Sequence, residues 1–180
     1  MTAEAESASG LNRDLEDRVV NCADNVLHTY KGHFEAADTY SDRGRQLDFV
    51  TTFGAAILTV ALIWNQAPVI IPIGIAVVTA VASAYKTMMQ PDQTASKHYR
   101  AGEAYLRLLD DIKDYIVLEF NADTEYEELE RRYRELAEQR QDLNEDMPQL
   151  NRKWYDRLDE STIYDEIETT EKAKNRLLNQ

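Results

Sequence analysis

Polar and charged residues recur every few positions along most of this chain, and then they stop. From Phe49 to Tyr85 there are 37 residues without a single Asp, Glu, Lys or Arg. The run reads FVTTFGAAILTVALIW, then NQAP, then VIIPIGIAVVTAVASAY. It is longer than one buried core helix needs, and it fits two short membrane spans with a turn between them. Asn65 to Pro68 supplies the turn, and Pro68 suits the first turn of a new helix, where its missing N–H would be unpaired anyway. The expected hairpin covers 47–89, with spans at 47–64 and 69–88. A hydrophobic hairpin buried in a large soluble bundle is the alternative. It fits less well, because a soluble helix keeps a polar face and neither half of this run has one. Trp64 at one end and Tyr85 with Lys86 at the other suit membrane interfaces.

The flanks are helical by the same test. Residues 1–10 read as disordered. From Leu11 the positions Leu15, Val19, Cys22, Val26, Tyr30, His33, Ala37 and Tyr40 recur at three- and four-residue intervals, one stripe on an amphipathic helix over 11–46. Gly32 and Gly44 are soft points in it. After Pro91-Asp92, Thr94 or Ser96 can cap a helix over 94–121 that carries Tyr105, Leu108, Leu109, Ile112 and Tyr115. Asn121 to Thr124 is a stop and a cap. In the C-terminal helices of 124–180, Tyr126, Leu129, Tyr133, Leu136, Arg140 and Leu143 make a seam of coiled-coil spacing. Pro148 breaks that helix, and shorter ones are expected near 149–158 and 162–178. The fold class is all-α: a two-helix transmembrane hairpin attached to a cytoplasmic bundle of coiled-coil-like helices.

Charge refines this picture. The net charge of -13 divides into -5 before Phe49, +1 from Lys86 and -9 from Thr87 onward. So acidic a chain is a poor partner for a nucleic-acid polymer, which needs a cationic patch. An excess of acidic over basic residues, 33 to 20, would suit concentrated salt. Arg43 and Arg45 before the first span, and Lys86, Lys97 and Arg100 at and after the end of the second, place both termini in the cytoplasm of a multi-pass cell-membrane protein. The opposite orientation is the alternative. No secretory signal opens the chain, so the hairpin itself would direct insertion. The lone Cys22 reads as a small buried hydrophobe.

Chemistry is sparse. No phosphate loop, zinc motif, nucleophile elbow or Cys/His metal set occurs, and no catalytic residue, metal site or cofactor is expected. A His33–His98 pair across packed helices would suit metal binding or pH sensing, although such residues more often simply hydrogen-bond between helices. Carboxylate clusters at Asp110/Asp111/Asp114 and Glu125 to Glu130 read as solvated faces. The hairpin is more informative. Thr51, Ala55 and Thr59, with Thr52 and Gly54 beside them, and Ala76, Ala80 and Ala84, with Thr79 and Ser83, are small residues at four-residue spacing. Such rows let membrane helices approach closely. They serve either packing within one hairpin or the lining of a narrow path through an oligomer, since two spans cannot enclose a pore.

Two stretches carry a resemblance. Lys31 to Tyr40 (KGHFEAADTY) before the first span and Ser96 to Leu108 (SKHYRAGEAYLRL) after the second are similar to the SLATT family, the two-span effectors that accompany nucleotide synthetases and nucleotide-sensing domains in prokaryotic conflict systems. The resemblance covers roughly residues 25–120. It implies an anti-phage effector that opens the cell's own membrane when triggered, working as a homo-oligomer with a synthetase or nucleotide-sensing partner protein. His33, Phe34, Ala37, Tyr40, His98 and Tyr105 map onto the family pattern and are expected to couple the pre-span and post-span helices. A non-conducting anchor that gathers soluble partners through the Tyr126–Leu143 seam is the competing reading.

Overall fold

The computed structural model describes residues 2–64, 68–119 and 124–158, with side chains described from residue 13 onward. Among the described residues there is no strand. Five α-helices follow in order: α1 (Thr2–Ile63), α2 (Ile70–Met89), α3 (Pro91–Asp114), α4 (Tyr126–Asp146) and α5 (Arg152–Tyr155), with a π-helical segment, Tyr115–Glu119, continuing α3. The helix expected at 162–178 and the stop at Asn121–Asp123 lie outside the described residues.

The chain divides into two compact units, one of 1–35 with 98–180 and one of 36–97. In the first, the α1 stripe Leu15, Val19, Cys22, Val26 and Tyr30 packs with Tyr105, Leu108, Leu109 and Ile112 of α3, Tyr115, and Leu129 and Leu136 of α4. Burying each Leu, Ile or Val stabilises the bundle by roughly 1.5–3 kcal/mol. The Tyr126–Leu143 seam is therefore filled from within: Leu129 and Leu136 are 3% and 1% exposed, and Tyr126, Tyr133 and Leu143 pack against the same core. The opposite face of α4 carries ion pairs three and four residues apart, Arg134–Glu130 at 2.8 Å, Arg132–Glu135 at 2.9 Å, and Arg131 with Glu128 and Glu135. Arg140 turns inward from the seam to Cys22, with its Nε buried and without a hydrogen-bond partner. Beyond Pro148, Asn151 caps the short α5 by accepting from the Lys153 N–H, and Trp154 is buried. Gly32 proves to be a close approach: a Cβ there would run into Leu150.

In the second unit, α1 and α2 form an antiparallel pair. Gly44 is buried, and Leu47, Thr51, Gly54, Leu58 and Ala61 of α1 are half-buried. On α2 the half-buried positions are Pro72, Ile75, Ala76, Thr79, Ala82 and Lys86. Alternating intervals of three and four mark a coiled-coil-like seam. Nearly all else on the two spans is exposed, and both helices are long and apolar enough to cross a membrane. Three boundaries differ from the sequence reading. Helix α1 starts at Thr2, where residues 1–10 read as disordered, and runs unbroken from the amphipathic stripe into the first span. Helix α2 starts at Ile70, with Pro72 in its first turn and the Pro68 carbonyl accepting the Ile71 N–H at 2.9 Å. Helix α3 starts at Pro91 instead of after a Thr94 or Ser96 cap, because Gln90 takes the left-handed conformation (φ 43°) and ends α2 in one residue. Pro91 then stands at the first helical position, where a proline is tolerated.

Candidate functional site

The hairpin has two unlike faces. Gly54 meets the Thr79 side chain, with no room for a Cβ between them, and Asp48 meets Lys86, so rising positions on α1 oppose falling positions on α2. At 3.6 residues per turn, Ala55, Thr59 and Thr52 lie about 80° to 140° to one side of the α1 seam, and Val50, Phe53 and Ile57 about 60° to 120° to the other. Ala80, Ser83 and Ala84 stand in the same sense on α2, and Ile71, Gly74 and Val78 in the opposite sense. The helices are antiparallel, so equal rotations from the seam end on the same side of the hairpin. Toward the base of the hairpin one face accordingly carries alanines and hydroxyls from both helices, while toward the turn Leu62 and Ile73 stand on that same face. The other carries bulky aliphatic and aromatic side chains, and Val50, Phe53, Ile57, Ile71 and Val78 line one apolar groove there, of about 500 Å³.

The hydroxyls are mostly satisfied within their own helices. Thr51 donates to Leu47 O at 2.9 Å, Thr59 to Ala55 O and Thr79 to Ile75 O at 2.8 Å. Among the described residues, the Thr52 and Ser83 hydroxyls form no hydrogen bond; the register set by Asp48–Lys86 and Gly54–Thr79 brings these two close to one depth. The small residues thus divide. Thr51, Gly54, Ala76 and Thr79 belong to the contact between the two helices, while Thr52, Ala55, Thr59, Ala80, Ser83 and Ala84 are exposed.

At the base of the hairpin, Lys86 Nζ reaches Asp48 at 2.6 Å and Asp92 at 3.1 Å, and Gly44 gives Asp92 room. This three-residue ion cluster is absent from the sequence reading, which counted Lys86 as an interface residue and a topology signal. Its signal was available: Lys86 lies on the α2 seam, one end of a charge-free run that Asp48 bounds at the other.

In the first unit a second centre is built around His33 and His98, which are 2% and 6% exposed. Their Nδ1 atoms are 2.9 Å apart, so one ring donates its N–H to the bare nitrogen of the other. Tyr105 stacks on His33 with ring centres 5.5 Å apart, and its hydroxyl donates to Asn144 Oδ1 at 2.7 Å. Phe34 lies against Tyr99, ring centres 5.4 Å apart, and over Gly102, where a Cβ would come within 2.9 Å of the ring. Burial, and then the charge of His98, hold His33 down to about 4; burial lowers His98 too. Burial likewise raises the Tyr105 hydroxyl, with Tyr155 adding to the effect and Arg140 opposing it. A cleft of about 240 Å³, lined by His33, Tyr105, Asn144, Met147, Gln149 and Tyr155 among others, opens beside the pair. Of the six coupling candidates, His33, Phe34, His98 and Tyr105 come together here. Ala37, buried, and Tyr40, half-buried, belong to the second unit. Asn144, Tyr99 and Gly102 complete the centre; Tyr99 and Gly102 lie within the Ser96–Leu108 stretch that carries the resemblance, whereas Asn144 had no signal in the sequence.

Among the described residues no group of three or more His, Cys, Asp or Glu could hold a metal ion. The acidic clusters of α3 and α4 are mostly solvated.

No curated protein and no solved structure matches this chain. A family model does: that of SMODS and SLOG-associating 2TM effector domain family 4, over residues 15–173. The match spans the α1 stripe, both apolar helices and the bundle behind them. With a two-helix apolar hairpin as its structural counterpart, the match makes this a two-span membrane effector domain, and the chain belongs to SMODS and SLOG-associating 2TM effector domain family 4.

Proposed function

We propose that this protein is the membrane effector of a prokaryotic nucleotide-signalled defence system, which assembles into a homo-oligomer and permeabilises the cell's own membrane when triggered. The observation that carries this reading is the two-faced hairpin. A lone hairpin in lipid gains nothing from sorting its alanines and hydroxyls onto one side, since acyl chains surround both. Between copies that face permits close approach, and Thr52 and Ser83, near one depth, can hydrogen-bond across the contact or face water. The bulky face then meets lipid. In this reading the chain acts by assembly and not by catalysis, both termini are cytoplasmic, and the trigger reaches the helical bundle directly or through a nucleotide-sensing or synthetase partner.

The scaffold reading loses its docking surface. The seam that would gather partners is occupied by α1 and α3 of the same chain, with Leu136 at 1% exposure. The deciding experiment is leakage of dye and ions from liposomes containing the full-length protein, with and without a panel of cyclic oligonucleotides. Leakage that Thr59→Leu and Ala80→Leu abolish, with insertion intact, is the expected result. Inserted protein that stays silent with every ligand and with candidate partner proteins would return the weight to a non-conducting anchor.

A further inference from the structure

The histidine pair of the first unit has a property that its packing role does not need. The gap between the two Nδ1 atoms, 2.9 Å, holds one hydrogen. A neutral pair fits it, with one ring protonated on Nδ1 and the other on Nε2. A pair carrying one positive charge fits as well, an imidazolium donating to an imidazole. Two imidazolium rings do not, because two N–H groups would then point at each other across a hydrogen-bond distance in a buried site. Position gives this limit a consequence. His33 stands three residues before Ala36 and His98 directly after Lys97, the ends of the stretch that carries the hairpin. We propose that His33 and His98 form a proton-operated tie between α1 and α3, closed while the facing nitrogens share one hydrogen and opened when both rings are charged.

The surroundings favour the closed form. Tyr105 stacks on His33 and spends its own proton on Asn144. On α1, Lys31 and Glu35 flank His33, with Glu35 toward Arg157 of the α5 end at 3.8 Å. On α3, Lys97 and Arg100 beside His98 are exposed. From α4, Arg140 acts on Cys22 and Tyr105, and Tyr155 of α5 shares the cleft. The charge that acts on His33 is that of His98, so each protonation opposes the next. The cleft at His33 gives protons a route to the pair.

The test uses full-length protein in lipid nanodiscs and needs no channel activity. Imidazole nitrogen NMR from pH 8 to pH 3.5 should show one hydrogen-bonded Nδ1–H shared by the pair and two separate titrations, the lower near pH 4. Amide exchange at residues 26–34 and 99–109, corrected for intrinsic pH dependence, should lose protection with that second step. In His33→Asn/His98→Asn, which keeps a side-chain hydrogen bond but no titration, protection should stay flat. Two histidines titrating together near pH 6.5 would overturn the proposal, as would a double variant that loses protection at the same pH as the parent. Should the double variant not fold, the titration of the parent alone decides.

Discussion

Asp48 and Lys86 meet across the hairpin at 2.6 Å, and the same ammonium reaches Asp92 at 3.1 Å. One cation therefore ties α1, α2 and the start of α3 at the membrane boundary, where a charge on a span can still reach polar surroundings. Asp48 is more than half exposed, which keeps the bond modest. Lys86→Met and Asp48→Asn should each lower hairpin stability, and the double variant should cost less than the sum. A double-mutant cycle read by thermal unfolding in nanodiscs should give a small favourable coupling between the two side chains. Strict additivity would show that the contact holds nothing.

Seam and face should fail differently. Gly54 has no space for a Cβ against Thr79, so Gly54→Val forces the two helices of one hairpin apart, at about 1–3 kcal/mol. Ala80→Leu adds bulk to an exposed position and leaves the hairpin itself intact. Gly54→Val should lower the thermal stability of the monomer, whereas Ala80→Leu should leave it within about 0.5 kcal/mol and reduce chemical cross-linking between copies. Equal effects of both on monomer stability would place Ala80 in the wrong part of the hairpin.

The spans, the bundle and its buried stripe were legible because burial imposes a period, and Leu15 to Tyr30 and Leu129 to Leu136 display it openly. The hairpin rows were legible only in part. Four-residue spacing makes Thr51, Ala55 and Thr59 look like one row, but each such step advances about 40° around the helix. Thr51 therefore ends in the seam while Ala55 and Thr59 turn out of it. The period of three and four that the seam obeys, Gly44 to Ala61, is hidden from Phe49 onward, where every residue is apolar or small. The Tyr126–Leu143 seam shows the opposite limit, since a partner helix and the chain's own α1 satisfy the same spacing. Nothing local announces the π-helical turn at Tyr115–Glu119.

Phe34 and Gly102 lock α1 to α3 in the first unit. The ring lies where a Cβ at 102 would stand, at 2.9 Å, and it has Tyr99 and Tyr30 around it at ring-centre distances of 5.4 and 5.9 Å. Gly102→Val should destabilise the bundle by about 1–3 kcal/mol. Gly102→Ala with Phe34→Leu should recover part of what Gly102→Ala alone loses, because the smaller side chain clears the new methyl. Urea unfolding followed by Trp154 fluorescence in a Trp64→Phe background reads both. Absence of rescue would assign the loss to backbone adjustment and not to the ring.

Tyr115 sets the alkaline limit of the bundle. It is 1% exposed, and its hydroxyl donates to the Leu129 carbonyl at 2.9 Å, joining the end of α3 to the first turn of α4. Burial first, then the charge of Glu119 and the neighbouring Tyr133, push its hydroxyl from the usual 10.0 up to about 12. The folded form therefore keeps a proton that the unfolded chain releases. Its contribution is complete below pH 10 and is lost as pH rises from 10 to 12, by about 2–3 kcal/mol at 1.36 kcal/mol per unit. Tyr115→Phe should cost about 1–2 kcal/mol at neutral pH, through the lost hydrogen bond. Above pH 10 its stability should fall less steeply than that of the parent, and the two curves should meet at about pH 11 and cross before pH 12. Parallel curves from pH 7 to 12 would mean that Tyr115 ionises in the folded bundle as easily as in the unfolded chain, and that the bond to Leu129 does not hold its proton.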